Sequence, residues 1–226
     1  MKRLRWLEAE LPFSIRTFGN KLKGCPFRSD LSDGFLIDRV RDTYIEARYI
    51  EKLAFAEAVT DPFGEESVYE RVDYRQTAFT LTTDYPHLEL TDAPRGLQSF
   101  TARLSELGNF SLTVSPIEVN VLRWAESLSE LFPDRFVVAA VQASGLIVDE
   151  NVTARVILTG TVDVRHSLNR FTRGKQSELD RLQVRFALGR EDARVLLLSD
   201  GGARVEADTE QEIPSALRRS LASIRS

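Results

Sequence analysis

The sequence predicts an α+β fold, antiparallel β-sheet with helices packed on one face, in a single domain spanning residues 1–226. Three observations point to it. Strand-like segments follow one another from Phe35 to Leu90 with only turns between them, as in a meander. Two later stretches repeat apolar residues at helical spacing. An apolar run, RFVVAAVQASGLIV, precedes the clearest alternation in the chain, VTARVILTGTVDVR. Runs of strands set apart from helices mark α+β rather than a parallel α/β sheet.

The elements follow in order. Leu7, Ala9, Leu11, Phe13 and Ile15 alternate with more polar residues and predict a half-buried strand. Pro12 confines it to a sheet edge, because proline has no amide to give to a ladder. Gly19 to Gly34, rich in Gly, Ser and Asp, reads as a long loop. FLIDRVR, TYIEARYIEKLAFAEAV, SVYERVDYRQTAFTLTT and HLEL are strands. The second and third are joined by a turn at Asp61, Pro62 and Gly64, where proline presets φ and glycine supplies a positive one.

A helix is expected in TDAPRGLQSFTARLSEL, with Asp92 as N-cap, Pro94 in the first turn and Leu97, Phe100, Leu104 and Leu107 on one stripe. A second is expected in SPIEVNVLRWAESLSELF. There Ser115 and Glu118 form a capping box, Pro116 takes the first helical position, and Ile117, Val121, Trp124, Leu128 and Leu131 share a face. RFVVAAVQASGLIV, apolar on both sides, is a central strand. In the following segment Val152, Ala154, Val156, Leu158, Val162 and Val164 take even positions. It is expected to pair with ELDRLQVRFAL through a connection over 166–177, burying Leu182, Val184, Phe186 and Leu188.

The end of the chain echoes an earlier stretch. Residues 78–107 align without a gap on 195–224, setting Phe79 against Leu196, Leu81 against Leu198, Phe100 against Leu217 and Leu104 against Leu221. Both read strand, turn, strand, helix. The sequence thus admits two β-meander-plus-helix pseudo-repeats, 35–107 and 135–224.

Composition narrows the function. With 226 residues, 42% apolar and 28% charged, the chain is globular rather than disordered. A net charge of −4 argues against coating nucleic acid over the whole surface. Charge is segregated, however: residues 1–28 carry seven Lys/Arg against two acids, 151–195 nine against five, and 29–100 seven against fifteen. Two basic segments flank an acidic one, a pattern suited to self-association or a charged partner. The lone Cys25 forms no internal disulfide, and no apolar run approaches a membrane span, so a cytoplasmic protein without membrane insertion is expected.

Signatures of catalysis are missing: no Walker loop, dinucleotide fingerprint, G-x-S-x-G elbow or H-E-x-x-H occurs. No cofactor and no metal site are expected. His87 and His166 fall in separate segments, and Cys25, although near Lys21 and Lys23, has no histidine placed to serve as its base. The acids from Glu46 to Glu70 alternate with Arg48 and Lys52, as on a solvated sheet face. The candidate site is instead basic. Arg155, Arg165, Arg181 and Arg185 share the odd-numbered face, and the connection adds Arg170, Phe171, Arg173 and Lys175. Guanidinium groups projecting from a sheet suit bidentate contact with carboxylate or phosphate.

The function expected is therefore a non-enzymatic binding or assembly protein. It would present an Arg-rich sheet face and loop to an acidic protein partner, a second copy of itself, or a nucleic-acid backbone. The alternative is a metal-assisted hydrolase drawing on the 38–73 region, with Asp38, Glu46 and Asp73 as its acids.

Overall fold

The computed structural model describes residues 1–173, 175–189, 191–207 and 212–225, and it is α+β with antiparallel strand pairing. The strands are β1 (Lys2–Glu10), β2 (Asp33–Val40), β3 (Tyr44–Thr60), β4 (Glu66–Thr82), β5 (Leu88–Thr91), β6 (Thr113–Pro116), β7 (Val137–Asp149), β8 (Val152–Thr159), β9 (Glu178–Leu188), β10 (Glu191–Leu198) and β11 (Gly202–Glu206). The helices are α1 (Ile15–Lys23), α2 (Gln98–Leu107), α3 (Val121–Leu131), α4 (Arg165–Thr172) and α5 (Glu212–Ser223). By contacts the chain divides into two compact units, Ala9–Val114 and Met1–Glu8 with Ser115–Ser226. No helix among the described residues is long and apolar enough to cross a membrane.

The unit Ala9–Val114 is built on the meander β2-β3-β4-β5. Its core is aromatic: Phe35, Tyr49, Phe79 and Phe100 are buried with ring centroids 5.1 to 6.2 Å apart. Such ring pairs contribute about 0.5–1.5 kcal/mol each beyond burial itself. The β3–β4 turn forms as its residues dictate. Asp61 accepts from the amides of Phe63 and Glu65, and Gly64 takes φ +89.

Two sequence expectations fail in this unit. The alternation of residues 7–15 is not one strand: β1 stops at Glu10, and Ser14 accepts from the Thr17 amide to cap α1, which occupies part of the expected loop. Helix α2 starts only at Gln98. Asp92 sits at φ +48 ahead of the helix, and the N-cap position falls to Leu97, which makes no side-chain cap bond, although Phe100 and Leu104 are buried as expected.

Beyond the pairing of β2 with Glu51 and of β5 with Ala78, β3 and β4 continue as a two-stranded arm. Every residue from Ala54 to Tyr74 is exposed, Phe63 at the tip by 92%.

The second unit is a sheet in the order β1-β11-β10-β9-β7-β8. Helix α3 packs on β9, β10 and α5. Trp124 of α3 meets Trp6 of β1 edge to face at 5.8 Å and donates its indole N–H to Leu217 O and Ser220 Oγ of α5, so its one polar atom is satisfied inside the core. Phe132 and Phe136 stack on Phe186 from the same side.

The expected capping box of α3 does not form. Pro116 ends β6, and the helix begins at Val121 under Asn120, whose Oδ1 accepts from the amides of Leu122 and Arg123.

Nor do β8 and β9 pair with each other, because β7 lies between them and pairs with both. Strand β8 is also shorter than its alternation suggests. At Gly160 the backbone leaves the ladder, Asp163 accepts the Val138 amide, and the chain turns into α4. Residues 165–172, expected in a loop, are therefore helical, with Leu168 buried. The buried positions of β9 are as expected at Leu182, Val184 and Phe186.

The gapless alignment of 78–107 on 195–224 finds strand, strand and helix in both copies, but its strand parity is out of step. Buried Phe79 and Leu81 fall on half-buried Leu196 and Leu198, whereas Val195 and Leu197 are the buried ones.

Candidate functional site

The face of the second unit's sheet opposite α3 carries no helix among the described residues, and strand registers define its rows. One row runs Arg5, Gly202, Leu198, Arg181, Gln142, Ile157 across β1, β11, β10, β9, β7 and β8. The next runs Arg3, Arg204, Leu196, Gln183, Ala140, Thr159. A third sets Glu206, Arg194, Arg185 and Val137 side by side. Arginine thus projects from β1, β9, β10 and β11, with Arg155 on β8. Leu196, Leu198 and Ile157 lie among them as a partly exposed apolar strip.

The registers set like charges directly opposite each other, Arg3 across from Arg204 and Arg185 across from Arg194. Such placement is destabilising in the absence of anions. Among the described residues neither Arg194 nor Arg204 has an acidic group within ion-pair distance, although Glu206 stands opposite Arg194 in register. Both are exposed. Arg5 reaches Asp200 at 3.4 Å and Arg185 donates to the Thr161 carbonyl at 3.1 Å, yet the Nε of each is buried with no partner among the described residues. Two adjoining depressions of about 250 and 170 Å³ run along this face and share Gln183 and Leu196.

At one margin of the face the charge is held in place. Asp180 accepts from Gln142 Nε2 at 2.7 Å and Ser144 Oγ at 2.6 Å, lies 3.9 Å from Arg155, and Arg181 donates to Gln142 Oε1. Burial would raise the Asp180 carboxyl, but the hydrogen bonds from Ser144 and Gln142 and the charges of Arg155 and Arg181 outweigh it and hold the group below the usual carboxylate range. A bulge between Gln142 and Ala143 brings Asp180 into this cluster.

The other residues singled out from the sequence lie elsewhere. Arg165 opens α4 and makes a bidentate contact with Asp163, at 2.9 to 3.1 Å. The same contact with Asp163 raises the guanidinium pKa. Desolvation opposes ionisation of Asp163, but the bonds from Arg165 and the Val138 amide lower its pKa. Arg170 and Phe171 are exposed near the end of α4, Arg173 and Lys175 follow in the connection, and Lys175 Nζ sits 5.8 Å from the Phe171 ring centre. The structure therefore brings Arg155, Arg181 and Arg185 together on one face and leaves Arg165, Arg170, Phe171, Arg173 and Lys175 as a separate group.

Arg3, Arg5, Arg194 and Arg204 escaped the sequence reading. Their signal was present in the basic N-terminal segment and in RVLLL and ARVE, but only the β1–β11–β10 register unites them. Neither a family model nor a curated protein sequence matches the chain.

The acids of the alternative site do not assemble. Asp38 is gripped by Arg48 at 2.8 and 3.1 Å, Glu46 faces Arg39 at 3.6 Å, and Asp73 faces Arg71 at 3.6 Å. Among the described residues no three His, Cys, Asp or Glu side chains converge as metal ligands would. A larger cavity of about 760 Å³ is lined by Pro116–Asn120, Ser177–Asp180, Ser199 and Asp200, without histidine or cysteine.

Proposed function

We propose that this chain is a non-enzymatic binding and assembly protein that holds an acidic protein surface against the open, arginine-rich face of its β1-β11-β10-β9-β7-β8 sheet. One observation carries the reading. Arginines from neighbouring strands surround an apolar strip, and two of them, Arg194 and Arg204, are exposed with no acidic group within ion-pair distance among the described residues, although Glu206 lies beside both. Arginine is enriched in protein interfaces and lysine depleted, and the half-buried Leu196 and the exposed Ile157 give a protein partner something to bury. A phosphate backbone would use the cations but not the apolar strip. A reducing cytoplasm suits the single, unbridged Cys25.

The test is titration of labelled polyglutamate, single-stranded RNA and duplex DNA at low and high salt. Polyglutamate binding that collapses with salt, and that Arg194→Gln with Arg204→Gln weakens roughly tenfold, is the expected result. The companion change Arg170→Glu with Arg173→Glu separates the contribution of α4. Equal loss there would move the contact to the helix end, and binding confined to nucleic acid would overturn the protein reading.

A further inference from the structure

The same chain carries both a basic face and an uncovered acidic element. Between Ala54 and Tyr74 the arm bears Glu57, Asp61, Glu65, Glu66, Glu70 and Asp73 against the single cation Arg71. One side of the arm holds no cation beyond Lys52, which stands opposite Tyr74 at the base and donates to the Ser29 carbonyl. Register places Ala54 beside Val72, Ala56 beside Glu70, Ala58 beside Val68 and Thr60 beside Glu66 on that side. Alanine lets a backbone come close, while Val68 and Val72 are exposed by 67% and 47%. Isolated two-stranded ribbons are marginal in water, so an arm with apolar residues on both sides stands to gain from a cover. Its opposite side adds Phe55, Val59 and Tyr69, all about half exposed or more.

We infer that the acidic arm of one copy lies across the arginine-rich sheet face of a second copy, with Glu66 and Glu70 facing Arg194 and Arg204 and the Ala/Val stripe on the Leu196 strip. This rests on the binding function proposed for that face and names its occupant. The sizes agree. Seven paired residues at 3.4 Å span roughly 20 Å, and six strands at 4.8 Å make a face roughly 24 Å wide, so the arm fits within it. Arm and face are different surfaces, so the contact is heterologous: it builds chains unless the rotation closes it into a ring or a reciprocal dimer. One arm side of roughly 20 by 10 Å is small for an interface, so a single contact should be weak, concentration-dependent and sensitive to salt.

Sedimentation velocity of the full chain over a concentration series decides the matter. The wild type is expected to associate reversibly at low salt and to dissociate at high salt. Glu66→Lys with Glu70→Lys, on the arm, and Arg194→Gln with Arg204→Gln, on the face, should each weaken association by roughly tenfold or more. The arm pair is exposed and its variant's thermal midpoint should match the wild type, while the face variant, relieved of the Arg3–Arg204 and Arg185–Arg194 repulsion, should melt no lower than the wild type. An equimolar mixture of the two variants should form a 1:1 complex and stop there, since it offers one intact arm and one intact face. A wild type that stays monomeric at low salt, a variant that associates as the wild type does, or a mixture that stays monomeric overturns the inference. If the wild type is monomeric while the face variant still loses polyglutamate, only the occupant is wrong and the broader binding function stands.

Discussion

Asp180 at the margin of the arginine face and Asp163 at the start of α4 show what single residues do. Each is held below the usual carboxylate range by hydrogen bonds and neighbouring guanidinium groups that outweigh its partial burial. A carboxylate with a depressed folded pKa stabilises the fold above the unfolded value, near 3.9, and that stability is lost as pH falls through the folded value. Urea midpoints should therefore fall on acidification below about pH 4, and Asp163→Ala should flatten this dependence. The same variant should lose about 1–2 kcal/mol at neutral pH, because the amides of Val138 and Arg165 lose their acceptor. An unchanged acid slope would show that Asp163 does not couple to folding. The sequence showed Asp163 only as a polar member of an alternating run. Its role depends on Val138, distant in the chain. Leu182, Val184 and Phe186, by contrast, were legible, because parity within one strand is a local property.

At the scale of elements, starts and stops are where sequence and structure part. Ser115, Pro116 and Glu118 have the spacing of a helix start, yet Pro116 closes β6, and Asn120 supplies the acceptor for two free amides at the head of α3. Asn120→Ala should cost about 1 kcal/mol in chemical denaturation. Ser115→Ala and Glu118→Ala should each stay within about 0.5 kcal/mol. The reverse ranking would restore the capping box. Helix α4 was hidden for a related reason. Val162 and Val164 prolong the alternation of β8, so the break at Gly160 is visible only once its amide is seen bonding to Ala139 and the chain turning inward at Leu168. The meander β2 to β5 needed no such knowledge, since its turn residues and strand periods agree.

For the molecule as a whole, the segregation of charge along the sequence proved more informative than any motif, and the folded chain makes it physical. The acidic segment includes the exposed arm, and the basic segments at 1–28 and 151–195 contribute Arg3, Arg5, Arg155, Arg181, Arg185 and Arg194 to one sheet face. What the sequence could not show is that β1, β9, β10 and β11 lie side by side, since those pairings join distant segments. The arm offers a final test that needs no substitution. In dilute solution its amides between Ala54 and Tyr74 are held by the β3–β4 ladder and by the carboxylates of Asp61 and Asp73. The residues of this ribbon are all exposed and it touches Phe27 through Tyr74 at its base, so hydrogen exchange there should be far faster than in buried β7 or β9. Raising the protein concentration at low salt should slow exchange in the arm and along β10 and β11 together, and added salt should reverse both. Slowing confined to the arm would mean that it pairs with another arm rather than with the arginine face. An arm that exchanges equally fast at every concentration would leave it uncovered in solution.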